Sequence, residues 1–201
     1  AGNTSSASSA FDVTVDTTAP GAPTVVTQTT SDLTPTITGT ATVGAGETLT
    51  VVVSGATYTV TPAGGGAWSL DLGTETPTSG SLTALADGNT YNVTATVTDT
   101  AGNATSDSTS SELVIDTTAP GAPSVVSIST DTGVTDGVTS DNTLTFTGTA
   151  EANSTVEVFI DGSSIGTVTA DGSGDWTYDH TGTILADATY AVTATSTDAA
   201  G

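Results

Sequence analysis

The sequence predicts an all-β chain built as two tandem β-sandwich domains, and three observations carry that prediction. The octapeptide "DTTAPGAP" stands at residues 16–23 and returns letter for letter at 116–123; self-similarity at so long a period marks repeated domains. Apolar and polar residues alternate with period two in stretch after stretch, the mark of strands with one buried face. Thr, Ser, Gly, Val and Ala dominate the 201 residues while aromatics make up only 4%. β-Branched residues fit a pleated surface, and Gly and Ser punctuate it. No stretch shows a convincing helical period.

Taken in order, residues 1–15 ("AGNTSSASSAFDVTV") match 101–115 in pattern. They predict the final strand of a preceding repeat, so that 1–16 is that strand plus a linker. The first full sandwich then occupies 17–116. The second occupies 117–201 and stops at "TDAAG", before a final strand of its own. "TITGTA" (36–41) and "TFTGTA" (145–150) are one matched strand, "AWSLDL" (67–72) and "DWTYDH" (175–180) another. Trp68 and Trp176 are therefore equivalent core anchors.

In "YNVTATVTD", Tyr91, Val93, Ala95 and Val97 share one face, and "YAVTATSTD" repeats the pattern from Tyr190. A hairpin turning at "DTAGN" leads to a last strand at about 105–115, beside its local partner 91–98. The second repeat gains residues around "STDTGVTDGVTSDN" and loses about as many between Trp176 and Tyr190. Loops change length where strands hold register. Seven or so short strands per repeat describe immunoglobulin-like domains with Greek-key-type antiparallel sheets, and "LADGNTY" fits the tyrosine corner.

Charge narrows the function. The chain has 22 acidic residues and no Lys or Arg, so it makes no Lys or Arg salt bridge. Two carboxylates about 4 Å apart repel by roughly 1 kcal/mol in water and about 4 at an effective dielectric near 20. A basic footprint for nucleic acid is missing. With no cysteine there is neither disulfide nor thiolate zinc site. The longest wholly apolar run, as in "VVV" at 51–53, is three residues, far short of a membrane span.

Catalysis has little to draw on. His180 is the sole histidine and reads as a packing residue on the face of Trp176 and Tyr178; the chain is not expected to be an enzyme. A hard divalent cation suits the carboxylates better, because Ca²⁺ takes six to eight oxygens from acids, Asn side chains and carbonyls on bendable loops. The loop between the last two strands of such a sandwich lies at the end where the first strand begins. Asp99 and Asn103 of "TDTAGN" are thus expected near Asp16, and Asp198 of "TDAAG" near Asp116, with Glu151 at the same end. The first repeat has Thr42 where the second has Glu151. Asp131, Asp136 and Asp141 in "DTGVTDGVTSDN" form a second oxygen-rich candidate loop, and Asp87 of "LADGNTY" completes the set.

At "DTTAPGAP", "TITGTA", "LADGNTY" and "TDTAGN", in that order, the whole chain resembles the bacterial Ig-like repeats of giant type I-secreted, RTX-type surface adhesins. The resemblance implies an extracellular stalk, on the surface of a bacterial cell, in which Ca²⁺ bound between repeats stiffens the spacer behind a distal binding domain. It assigns Asp16, Asp99, Asp116 and Asp198 to junction sites. Neighbouring repeats of the same chain, or of another copy joined head to tail by strand complementation, are the implied partners. An adhesive pair of domains recognising a surface glycan or protein is the alternative reading.

Overall fold

A computed structural model describes all residues, Ala1–Gly201. It holds seventeen strands and no helix. Two compact units form, and their borders cut across the sequence repeats. One comprises Ala1–Thr27, Thr34–Ala84 and Tyr91–Glu112, the other Gln28–Leu33, Leu85–Thr90 and Leu113–Gly201.

In the first unit, β1 (Thr24–Val25), β3 (Thr36–Thr40) and β6 (Ala67–Asp71) make an antiparallel sheet with β3 in the middle. A second sheet runs β10 (Ala104–Ser106), β9 (Val93–Thr98), β4 (Thr48–Val53), β5 (Ala56–Val60), β7 (Ser79–Gly80). Alternation decides which side is dry. Ile37, Trp68 and Leu70 are buried from the first sheet, and Leu49, Val51, Val53, Tyr58, Val93, Ala95 and Val97 from the second.

The second unit repeats this plan. β12 (Ser124–Ile128), β13 (Thr145–Thr149) and β16 (Asp175–Asp179) form one antiparallel sheet; β15 (Ser163–Thr169), β14 (Thr155–Ile160) and β17 (Val192–Thr197) form the other, in that order. Its core gathers Leu144, Phe146, Val156, Val158, Ile160, Ala170 and Trp176. Tyr190 donates its hydroxyl to the Ala186 carbonyl at 3.0 Å, closing the tyrosine corner.

The last strand of the first repeat departs from expectation. It is not one strand at 105–115 beside 91–98. Only β10 pairs with β9. β11 (Leu113–Ile115) pairs instead in parallel with β2 (Gln28–Thr30), and β8 (Asn89–Tyr91) flanks it on the other side.

Side chains explain the break. The Asp107 carboxylate accepts from the Ala95 amide at 2.8 Å and the Glu112 carboxylate from the Val93 amide at 2.9 Å, so acids replace the backbone ladder. Ser111 takes a positive φ of 67° and donates its amide to Asn92 Oδ1 at 2.8 Å. The chain thus turns out of one sheet and enters another. Glu112 ends up buried, with Oε1 lacking a partner.

A shared packing device organises both repeats. Gly39 lies opposite Trp68 across the ladder, and Gly148 opposite Trp176. A Cβ at Gly39 would collide with the Thr24 carbonyl oxygen and the Trp68 ring; at Gly148 it would collide with the Ser124 carbonyl oxygen and the Trp176 ring. Each indole therefore lies flat over a bare stretch of backbone. The cost is that neither indole N–H finds a partner.

Overpacking of this kind costs about 1–3 kcal/mol. Gly148→Ala is expected to lower unfolding stability by that amount in urea titration, whereas Gly121→Ala, with open space around it, leaves it unchanged. Equal midpoints for the two variants would refute the packing role.

Candidate functional site

Most of the predicted ligands sit in turns, where Asp is favoured because its carboxylate accepts an amide two residues on. Asp99 shows the fullest version. Its Oδ1 accepts from the Ala101 and Asn103 amides, each at 2.9 Å, and its Oδ2 accepts from Asn103 Nδ2 at 2.9 Å. The same Nδ2 donates to the carbonyl oxygen of Asp16 at 3.1 Å. Asp99, Asn103 and the Asp16 backbone thus meet around a single amide group. The Asp16 carboxylate itself turns away, accepting from the Thr18 amide at 3.0 Å.

In the second unit, Asp87 and Asp116 hold the start of the repeated linker from two sides. Asp87 accepts from the Thr117 amide at 2.6 Å and from the Thr118 hydroxyl at 3.0 Å. Asp116 accepts from the Thr118 amide at 3.1 Å and donates its own amide to the Thr30 carbonyl at 3.0 Å. Asp198 accepts from the Ala200 and Gly201 amides at 2.8 and 3.0 Å. Glu151 contributes its backbone carbonyl to Ser154, leaving its side chain exposed.

In the long loop, Asp131 accepts from the Gly137 amide at 3.0 Å, Asp136 from Val138 at 3.1 Å and Asp141 from Thr143 at 2.9 Å. Asp131 Oδ1 is buried without a partner.

Nowhere do three acidic or histidine side chains gather closely enough to hold a metal ion. The expected meeting of Asp116, Asp198 and Glu151 is therefore not formed by their side chains. The physical reason is local: Asp116 and Asp198 are each satisfied by amides two or three residues on. Any cation here would rest on carbonyl and amide oxygens as much as on acids.

Several carboxyls titrate below their ordinary range. For Asp87 the largest cause is the Thr117 amide, then the Thr118 hydroxyl. The Asn103 amide group does the same for Asp99, the Thr143 amide for Asp141 and the Thr181 hydroxyl for Asp179.

Sequence reasoning passed over two acids that the fold uses, Asp107 and Glu112. Position 112 aligns with Asp12, which falls on the polar face of its alternating run, so nothing in the pattern marked Glu112 for burial. His180 stacks beside Phe146 and Tyr178, ring centroids 5.9 and 6.3 Å away. A cavity of about 420 Å³ near Ala41–Val43 and Thr61–Ala63 carries no ionisable side chain.

The family model of the bacterial Ig-like domain matches residues 24–117 and again 119–201. The chain belongs to that family, as two tandem copies. Among solved structures it is similar to one described as "Biofilm associated protein - BSP domain", at 20% identity and TM-score 0.29, over 89% of this chain and 27% of that one. It is similar to a structure from work on "host cell surface retention of a 1.5-MDa bacterial ice-binding adhesin", at 26% identity and TM-score 0.36, over 92% and 62%. A "tetra-tandem repeat in extending region of large adhesion protein" matches at 24% identity and TM-score 0.32, over 90% and 45%. The chain thus spans less than two thirds of each of these solved chains. No curated protein matches it.

A depressed carboxyl stabilises the fold above its unfolded value, near 3.9 for Asp, and that contribution is lost as pH falls through the lower folded value. Asp87→Asn is therefore expected to unfold more easily than the parent at pH 7, with the gap closing below about pH 4. Measured in chelator by urea titration, a gap that stays constant down to pH 2.5 would contradict the assignment.

Proposed function

We propose that this chain is an extender segment of a bacterial cell-surface adhesin, working outside the cell as a spacer whose joints Ca²⁺ stiffens. The observation that carries the reading is the family repeat itself: two bacterial Ig-like domains, with the same octapeptide at the N-terminal border of each. A linker between domains is ordinarily a hinge. Here Pro20, Pro23, Pro120 and Pro123 restrict its backbone, and Asp87 and Asp116 hold Thr117 and Thr118 by hydrogen bonds. The role is mechanical and not catalytic.

Ca²⁺ fits the Asp99–Asn103 turn best. The Asn103 amide nitrogen faces an Asp99 oxygen and the Asp16 carbonyl oxygen, two hard oxygens that a cation would bridge once that amide turned over. Turned over, the Asn103 amide presents its Oδ1 to the same point as a third. So few protein oxygens leave the rest of the shell to water, as suits extracellular modules that bind calcium at about 10⁻⁴–10⁻³ M. Such sites fill outside a cell. Asp116, Asp198 and Glu151, and Asp131, Asp136 and Asp141, are the further candidates.

A ligand bound only by the folded state adds about 1.4 kcal/mol per site at tenfold excess over its Kd. The melting temperature is expected to rise with 5 mM Ca²⁺ relative to chelator, and Asp99→Ala to remove part of that rise. Small-angle scattering should show a narrower spread of molecular extents with calcium. Identical melting and scattering in calcium and in chelator would end the stiffened-joint reading.

A further inference from the structure

We infer that β2 and β11 form a tension clamp, a strand pair that holds the first repeat shut when the chain is drawn lengthwise. The inference rests on the extender reading in one respect, that the pull arrives through the two linkers. Its geometry comes from the pairing that local periodicity did not foretell. Leu113–Ile115 leaves the neighbourhood of 91–98 and lies parallel to Gln28–Thr30, with Gln28 opposite Leu113, Thr29 opposite Val114 and Thr30 opposite Ile115.

Chain direction decides how a pull is felt. Tension through the linker at 16–23 reaches β2 at its Gln28 end, by way of β1. Tension through the linker at 116–123 reaches β11 at its Ile115 end. In a parallel pair those are opposite ends, so the two strands are drawn past each other along their length. Every rung of the ladder then takes load at once, because the bonds of a parallel pair are evenly spaced. Antiparallel pairing of the same two strands would put both pulls at one end and open the rungs singly.

Burial pins the register against sliding. Leu113 and Ile115 are wholly buried, and a slip of one residue would turn both out of the core. β11 is also the middle strand of its sheet, between β2 and β8. On the β8 side the Gly88 amide donates to the Ile115 carbonyl at 2.9 Å. The strand that takes the pull is thus gripped along both edges and by its apolar face.

Bonds at the pulled ends add to the hold. The Asp116 amide donates to the Thr30 carbonyl at 3.0 Å, which extends the pair by one residue toward the linker. Asp87 accepts from the Thr117 amide and the Thr118 hydroxyl, and bonds to an ionised acceptor are stronger than neutral ones. Tension from the C-terminal side therefore meets Asp87 before it meets Ile115. On the N-terminal side β1 holds to β3 through Thr24 and Val25, and the Val26 amide adds a bond to the Thr38 carbonyl. That hold is the shorter of the two, which leaves β2 and β11 as the firmer one behind it.

The chain has no cysteine, so paired cysteines attach pulling handles only where they are placed. Gly21→Cys with Gly121→Cys puts a handle in each linker, where an added side chain meets open space, and draws the pair lengthwise. Leu33→Cys with Gly121→Cys pulls β2 and β11 from the same end; Leu33 is exposed, and Asp32→Cys replaces it if urea titration shows that variant to be less stable. Both full-length variants are stretched in an optical trap in chelator. Forced rupture follows the unfolding barrier and not equilibrium stability, so equal urea midpoints are expected alongside unequal forces. Three register pairs share the load in the first geometry and one carries it in the second, so the lengthwise rupture force is expected to be about threefold higher. Equal forces in the two geometries, or a higher force in the same-end pull, would overturn the clamp and leave the extender reading standing. Melting and scattering indifferent to calcium would do the reverse.

Discussion

A chain with 22 acids and no lysine or arginine must answer its carboxylates with something other than a basic side chain. This protein answers many of them with backbone N–H groups. Asp16, Asp99, Asp116, Asp171, Asp179 and Asp198 each accept an amide from two residues further on. The geometry of an Asp turn, in which a short side chain mimics a backbone carbonyl, makes this possible without long-range design. Charge-assisted bonds of this sort are stronger than neutral ones, so the acids stiffen the loops between strands.

The same interaction, placed inside a repeat, shapes its topology. Asp107 and Glu112 take the amides of Ala95 and Val93 that a continuous hairpin partner would have taken. Beyond Glu112 the chain leaves β9 and pairs with β2 through Leu113–Ile115. That crossing lets β11 close the end of the first repeat, burying Leu113 and Ile115. In the second repeat the buried core gathers around Phe146, Val156, Val158 and Trp176, with Tyr190 and Val192 packed partly buried against it.

Much of this was legible beforehand. The strands at 36–40, 67–71, 93–98 and their partners followed from alternation and from repeated words, because side chains in a strand point to opposite faces in strict turn. The two tryptophans were legible as anchors, since each recurs beside a matched strand. The glycines under them were not, because only the ladder register puts Gly39 opposite Trp68. The convergence of Asp99 and Asn103 on the Asp16 backbone has a sequence signal in the order of loops. The separation of Asp116, Asp198 and Glu151 has none: each finds a donor or solvent within its own turn, and such choices are made atom by atom.

By itself the sequence determined the architecture: an all-β, twice-repeated chain whose acids cluster at turns with no Lys or Arg to answer them. Periodicity and repetition are local properties, and they survive whatever the far neighbours do. Tertiary structure alone decided that 104–115 splits between two sheets and that Glu112 is buried. These outcomes depend on which amides lie free when distant strands come together, and no short window of sequence contains both partners.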